Sequence, residues 1–169
     1  MKPALKAKDL NLAQRYEMLR KTLAGYLLLQ VDTFITGLGK EAIGPAMTML
    51  TDKSAQLKIQ TITEKTHGNT EEAADLLSEN LADSMGETFS SDYNITRNGS
   101  QRTVTLNRCG CIESVLENAH NYGLTGPEVR SIFCGSCIGS YKKAATSLEL
   151  DFKGKLSKAG CYMSFSTKQ

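Results

Sequence analysis

The amino-acid sequence predicts an α+β fold in which a helical N-terminal half packs on a small antiparallel sheet. Apolar residues recur every three or four positions in the first half, whereas later segments alternate apolar and polar residues between turn signals. The predicted order of elements is α-α-α-β-β-α-α-β-β. We expect a single domain over residues 1–169, with a helical half at 9–86 and a half carrying a hairpin and the cysteines at 87–169.

Three helices are predicted in the first half. The first covers 10–38 and is broken at Gly37-Leu38-Gly39, because glycine disfavours the helix interior. The second covers 41–65 with a bend near Gly44-Pro45, and the third covers 70–86 behind a capping signal. One apolar stripe follows the first helix and consists of Leu12, Tyr16, Leu19, Leu23, Leu27, Val31, Phe34 and Leu38.

This stripe is long for a domain of 169 residues, since such a helix extends about 40 Å at about 1.5 Å per residue. We therefore predict that part of the stripe packs on a second copy of the chain, giving a two-fold homodimer. In the alternative, the sheet and the other helices cover the whole stripe.

A hairpin is predicted after the helices. Asn98-Gly99 lies between two alternating segments, 89–96 and 101–107, and Asn-Gly is the residue pair that tight hairpin turns prefer. The second segment runs directly into Cys109, so we expect this strand to carry a cysteine to its exit.

The remaining elements are two helices and two strands. A short helix is predicted over 112–122, and a longer one begins near Thr125 and continues to about Ser147. The segments 148–152 and 161–165 alternate again and are predicted to be strands.

The composition argues against nucleic-acid and membrane binding. The formal net charge is +2, and the chain has no basic stripe of the kind found in nucleic-acid-binding proteins. Its apolar run Leu23–Val31 is too short to cross a bilayer. The N-terminal residues lack the apolar segment of a signal peptide, so we expect a cytoplasmic protein whose thiols meet a reducing environment.

The five cysteines lie in the last third of the chain, as one Cys-x-Cys, one Cys-Gly-Ser-Cys and a single residue: Cys109, Cys111, Cys134, Cys137 and Cys161. Two close pairs with a fifth thiol are typical of a soft-metal or iron–sulfur site. Because three separate elements carry them, we expect the fold to assemble the site. Redox or disulfide chemistry and plain packing are the alternatives.

We predict that Cys109, Cys134, Cys137 and Cys161 are the ligands of one metal centre. Cys111 is the spare thiol of the five. The flanking residues are small or apolar, which favours an iron–sulfur cluster, [4Fe-4S] above all, over zinc: Ile112, Ile132, Phe133, Ile138, Gly110, Gly135 and Gly139.

Other chemistry-bearing residues fit less well. Cys134 and Cys137 match the Cys-x-x-Cys form of a catalytic dithiol, but no proline follows them as it does in thioredoxin-type domains. His67 and His120 lie in polar segments, where a solvated histidine is the ordinary interpretation. Glu113 is the carboxylate nearest to the cysteines in sequence, and an exposed helix charge is its ordinary role.

The cysteine-bearing half resembles the 4-vinyl-reductase-type small-molecule-binding domains and the L-2-amino-thiazoline-4-carboxylic acid hydrolase-like domains. The resemblance rests on Arg108-Cys109, Phe133-Cys134 and Gly160-Cys161-Tyr162-Met163-Ser164-Phe165. It implies an α+β domain that holds a metal through cysteines, binds small or hydrophobic ligands and pairs as a dimer. The additional Cys111 and Cys137 depart from that pattern and favour a cluster over a hydrolytic zinc or manganese site.

Three functions follow as hypotheses. The first is a cytosolic iron–sulfur protein for redox or small-ligand sensing or for electron handling, with a small molecule or a redox protein as its partner. The second is a metal-dependent hydrolase of a small sulfur-containing heterocycle, which needs an open coordination position and a general base. The third is a zinc-stapled module that binds a small molecule without catalysis.

Overall fold

Four antiparallel strands form one sheet in the computed structural model, which describes residues 11–168. In sequence order they are β1 (Asp92–Asn98), β2 (Gln101–Arg108), β3 (Leu150–Leu156) and β4 (Cys161–Thr167). Their order across the sheet is β1-β2-β4-β3, so the last strand lies between two earlier ones. The register pairs Leu106 with Cys161 on one side of β4 and Leu156 with Cys161 on the other.

Helices make up the rest of the architecture: α1 (Leu12–Leu38), α2 (Ile43–Thr66), α3 (Thr70–Phe89), α4 (Gly110–Asn118), α5 (Gly126–Val129) and α6 (Gly135–Ser147). Short 3-10 turns occupy Lys40–Ala42 and Ala119–Tyr122, and a π-helical turn at Arg130–Cys134 joins α5 to α6. The α+β class is therefore confirmed, and the order of elements broadly matches the prediction. Leu10, the predicted start of the first helix, and the N-terminal segment lie outside the described residues.

The predicted hairpin is confirmed with a shift of one residue in its loop. Asn98 pairs with Gln101, so the two loop residues are Gly99 and Ser100 rather than Asn98 and Gly99. Gly99 has a φ of 56°, and glycine is the residue that a tight hairpin loop prefers at a first position with positive φ. The predicted start of the first strand at residue 89 was wrong, because α3 continues through Phe89 and ends at a left-handed cap at Ser90.

The inner face of α1 is rotated away from the predicted stripe. Its buried residues are Arg20, Ala24, Leu28 and Val31, of which only Val31 belongs to the stripe. Several large apolar side chains are consequently exposed on α1: Leu12, Tyr16, Met18, Leu19, Tyr26, Leu29 and Leu38. The helices and the sheet of one chain therefore leave part of this helix uncovered.

Two groups of buried apolar residues form the interior. The sheet cluster joins α3 and α6 to one face of the sheet and includes Leu77, Leu81, Val104, Met163 and Phe165. The helix cluster joins α1, α4 and α5 and includes Ala24, Leu28, Ile112, Val115 and Val129. Phe165 stacks at a tilt on Tyr141 and Phe152, with ring centres 6.1 and 5.6 Å apart.

None of the helices within residues 11–168 has both the length and the apolar content needed to cross a membrane.

A buried ion pair connects the sheet to α3. The Arg102 side chain on β2 is 6% exposed and donates hydrogen bonds to both carboxylate oxygens of Asp75, at 2.7 and 3.1 Å, and to Glu71 at 3.0 Å. The hydrogen bonds from Arg102 hold the pKa of Asp75 below its usual range. Removing one member of such a pair leaves a buried charge without compensation.

We predict that Asp75→Asn lowers the free energy of unfolding by about 2 kcal/mol at neutral pH, because Arg102 keeps its charge and loses its main partner. Since the folded pKa of Asp75 is lowered, its contribution is present at neutral pH and is lost as the pH falls through that value. The variant should therefore lose less stability than the wild type on acidification. Urea unfolding at neutral pH and at an acidic pH measures the free energy of unfolding of wild type and variant. The control is Asp83→Asn, which changes an exposed residue on the same helix. Equal stability of the two variants at neutral pH would contradict the role assigned to Asp75.

Candidate functional site

The five cysteines line one small cavity of about 60 Å³, which we call the thiol cavity. Its other lining residues are Met85, Leu106, Ile112, Phe133, Ile138, Leu156, Gly160 and Met163. Apart from the thiols, the described side chains around it are all apolar, so sulfur is the reactive atom type of this lining. All five cysteines are free thiols in this structure.

Cys109 and Cys161 are brought together by the sheet. Cys109 follows the last residue of β2, and Cys161 opens β4, whose first residue pairs with Leu106 on β2. The Cys109 backbone N–H donates a 2.9 Å hydrogen bond to the Ala159 carbonyl oxygen, in the turn that precedes Cys161. Two cysteines that are distant in sequence thus become neighbours through strand pairing.

Cys111 lines the thiol cavity together with the other four cysteines. β2 ends at Arg108 and Cys109 caps the start of α4, so Cys111 lies in the first turn of that helix. All five cysteines therefore border one cavity, and the assignment of Cys111 as the spare thiol stays a prediction.

Cys134 and Cys137 reach the thiol cavity from a helix with a π-helical turn. Cys134 is the last residue of that turn, and Cys137 lies in the first turn of α6. Single π-helical turns occur frequently at functional sites. Among the apolar neighbours expected from the sequence, Phe133 and Ile138 line the cavity, whereas Ile132 faces a different groove, beside α2.

Two glycines allow this arrangement. A Cβ atom on Gly160 would lie 1.9 Å from the Leu106 carbonyl oxygen, and one on Gly110 would lie 1.7 Å from the Phe89 carbonyl oxygen. Only glycine permits such close approaches between backbones. Gly110, next to Cys109, and Gly160, next to Cys161, thus have to be glycine for the backbones to pack this closely. Gly135, by contrast, has open space around its Cβ position.

Burial raises the pKa of four of the cysteines and so favours their protonated form. Desolvation raises the pKa of Cys134 to about 11, and that of Cys137 and Cys161 to about 12. Burial also raises the pKa of Cys111, and the neighbouring thiols add to the effect. Metal ligation needs thiolates, so a bound cation would have to displace these protons.

The thiol cavity lies at the junction of the two apolar clusters. Cys137 and Cys161 belong to or pack against the sheet cluster, Cys111 and Cys134 pack against the helix cluster, and Cys109 contacts both. Within residues 11–168, no group of three or more His, Cys, Asp or Glu side chains could hold a metal ion in the geometry of this structure. Thiols are the donor type that soft metals prefer.

The structure places the other candidate residues elsewhere. Glu113 accepts a hydrogen bond from Arg108 Nη1 at 2.5 Å and does not line the thiol cavity. His67 is a left-handed helix cap, and His120 lies exposed in a 3-10 turn. Sequence reasoning missed two cations beside the cysteine-bearing helix, Lys58 and Arg130, because neither stands in a recognisable motif.

Comparisons with known proteins identify no family for this chain. No family model matches it, and no curated protein matches it. A solved structure of trafficking protein particle complex subunit 3 from Naegleria fowleri, covalently bound to palmitic acid, is similar at 11% identity with a TM-score of 0.40. The similarity covers 88% of this chain and 97% of that one. The resemblance of the cysteine-bearing half to 4-vinyl-reductase-type domains stays a prediction.

We predict that Gly160→Ala lowers the free energy of unfolding by about 3 kcal/mol, because the added methyl group collides with the Leu106 carbonyl next to Cys161. The matched control is Gly135→Ala, which lies in a helical conformation with φ −59° and has room for the methyl group. This control should be more stable than the wild type by about 0.8 kcal/mol. Thermal or urea unfolding measures both, and a tolerated Gly160→Ala would contradict the close approach of β4 to β2.

Proposed function

We propose that this protein is a cytosolic cysteine-ligated metalloprotein that binds an iron–sulfur cluster, with [4Fe-4S] favoured, and acts in redox or small-ligand sensing or in electron handling. The observation that supports this proposal is the presence of five thiols from three separate chain segments in one small cavity without any other polar lining side chain. Thiolate ligands select soft metals and iron–sulfur clusters.

Cys109, Cys134, Cys137 and Cys161 are the proposed ligands, with Cys111 as a fifth thiol beside them. The apolar residues around the cavity shield the centre from water, which tunes the reduction potential of a bound cluster. Met85, Leu106 and Met163 provide this shield from the sheet side, and Ile112 and Phe133 provide it from the helix side. A bound cluster would supply one-electron chemistry there.

A zinc ion is the second candidate occupant, and one observation favours it in a purely structural role. The thiol cavity connects two apolar clusters, so any four-thiolate centre staples them together and contributes its binding free energy to folding. The hydrolase hypothesis has less support, because Glu113 is engaged with Arg108 and none of the carboxylates or imidazoles among residues 11–168 lines the cavity to act as a general base.

Anaerobic purification tests the proposal directly. We expect a brown protein whose thiolate-to-iron charge-transfer absorption bleaches on reduction, with iron and acid-labile sulfide in equal amounts. A colourless protein containing one zinc ion would contradict cluster binding and would support the structural role of zinc instead. A protein that takes up neither iron–sulfur cluster nor zinc after anaerobic reconstitution would contradict metal binding altogether.

We predict that Cys134→Ser and Cys161→Ser each lose the metal and become less stable, because each removes a thiolate from a different apolar cluster. Cys111→Ser should retain more metal than these variants, because Cys111 is not one of the four proposed ligands. Metal content and thermal stability measure the series, with Ser136→Ala inside the Cys-Gly-Ser-Cys segment as control. Full metal retention in Cys134→Ser or Cys161→Ser would contradict the ligand set.

The exposed face of α1 supports a homodimer as the assembled state. Leu12, Leu19 and Tyr26 are 80%, 53% and 62% exposed, which is unusual for large apolar side chains on one helix. The charged residues of α1 lie mostly in its first half, as Arg15, Glu17, Arg20 and Lys21, and its second half carries only Asp32. Antiparallel pairing of two copies would bring each Asp32 towards the more basic half of the other helix.

We predict that light scattering reports a dimer at micromolar concentration and that Leu19→Glu shifts it to monomer, because a charge enters the apolar contact. Leu57→Glu is the control, since Leu57 is 67% exposed on α2. A monomeric wild type, or equal dissociation by both variants, would contradict pairing through α1.

A further inference from the structure

The cations that are not exposed fall into two classes. Within residues 11–168, four Lys or Arg residues are buried or half-buried: Arg20, Lys58, Arg102 and Arg130. Two of them form ion pairs, Arg20 with Glu17 at 2.8 Å and Arg102 with Asp75 at 2.7 Å. Lys58 and Arg130 form no ion pair with a carboxylate in the described part of the chain.

Lys58 lies against the helix that carries Cys137. Its Nζ donates a 2.7 Å hydrogen bond to Ser54 Oγ, and it lies 4.6 Å from the ring centre of Tyr141 on α6. The Nζ is also 3.5 Å from Ser140 Oγ, which in turn donates a hydrogen bond to the Cys137 carbonyl oxygen at 2.9 Å. Neutral hydroxyls and a ring face thus surround this ammonium group, and its pKa is lowered by burial.

Arg130 lies at the other end of the Cys134-Gly135-Ser136-Cys137 segment, one helical turn before Cys134. Its Nη2 donates a 2.5 Å hydrogen bond to the Lys158 carbonyl oxygen, in the turn between β3 and β4 that leads to Cys161. Its Nη1 is buried and has no hydrogen-bond partner among residues 11–168. A buried donor without a partner is costly unless something else compensates it.

Both cations flank the Cys134-Gly135-Ser136-Cys137 segment. Lys58 reaches the Cys137 carbonyl through Ser140, and Arg130 lies one helical turn before Cys134. A charge withdrawn from water is costly unless an opposite charge pairs with it. No carboxylate among residues 11–168 pairs with either cation, so the cysteines of this segment are the groups beside them that could carry the negative charge.

We infer that Lys58 and Arg130 are the counter-ions of an anionic, four-thiolate centre in the thiol cavity, an inference that rests on the proposed function. Four thiolates around a zinc ion, or around an oxidised [4Fe-4S] core, leave two negative charges uncompensated. One ammonium and one guanidinium group balance these two charges. In this role both side chains are positioning residues that stabilise the charge of the ligands without binding the metal.

Two measurements test this role. The first is the Zn²⁺ affinity of the reduced apoprotein by competition with a chromophoric chelator, and the second is the midpoint potential of the reconstituted cluster. Lys58→Met and Arg130→Gln should each weaken Zn²⁺ binding about tenfold or more. They should also shift the potential to a more negative value, because adding an electron to the centre becomes less favourable without the positive charge.

Conservative and remote variants separate charge from packing. Lys58→Arg and Arg130→Lys keep the charge and should restore most of the Zn²⁺ affinity and of the potential. Lys142→Met removes an exposed charge from α6 and should change neither. Thermal unfolding of each apoprotein verifies that the variants are folded.

The outcomes distinguish this inference from the proposed function. If the wild type binds zinc or a cluster but Lys58→Met and Arg130→Gln behave like Lys142→Met, the counter-ion role is overturned and the metal site stands. Failure of the charge-conserving variants to restore binding also overturns it, since the loss would then come from packing. A wild type that takes up neither zinc nor cluster overturns both.

Discussion

The placement of β4 between β2 and β3 is the constraint on which the rest of the structure depends. β4 is the last strand in sequence, and its pairing with β2 connects residues about sixty positions apart. Such a non-local contact costs chain entropy, which the sheet offsets by burying Met163 and Phe165 against α3 and α6. The close approach at Gly160 and the hydrogen bond from Cys109 to Ala159 then define one end of the thiol cavity.

The thiol cavity is also where the two apolar clusters meet. Cys109 packs against both clusters, and all five cysteines line the cavity at this junction. A thiol packs as a small apolar group when it is protonated and becomes a strong ligand when it loses its proton. Under the proposed function, the same residues would serve as part of the core before metal binding and as ligands after it, which would link metal binding to the stability of the whole chain.

The cations beside the cysteine-bearing helix differ from the buried Arg102. Arg102 donates hydrogen bonds to the carboxylates of Asp75 and Glu71, whereas Lys58 and Arg130 form no ion pair with a carboxylate among residues 11–168. A cation withdrawn from water without an opposite charge costs desolvation energy. Under the inferred counter-ion role, thiolates formed on metal binding would offset this cost, because protonated thiols carry no charge.

The sequence by itself determined the secondary structure and the fold class, because helical periodicity, the alternation of the strands and the capping of α5 by Thr125 and Glu128 are local properties. It also indicated that the cysteines belong to separate elements. Only the tertiary structure decided that Cys111 joins the others, since its direction depends on how the first turn of α4 packs against the sheet. The rotation of α1, the junction of the two clusters and the positions of Lys58 and Arg130 were likewise decided by packing between distant segments, which no local pattern encodes.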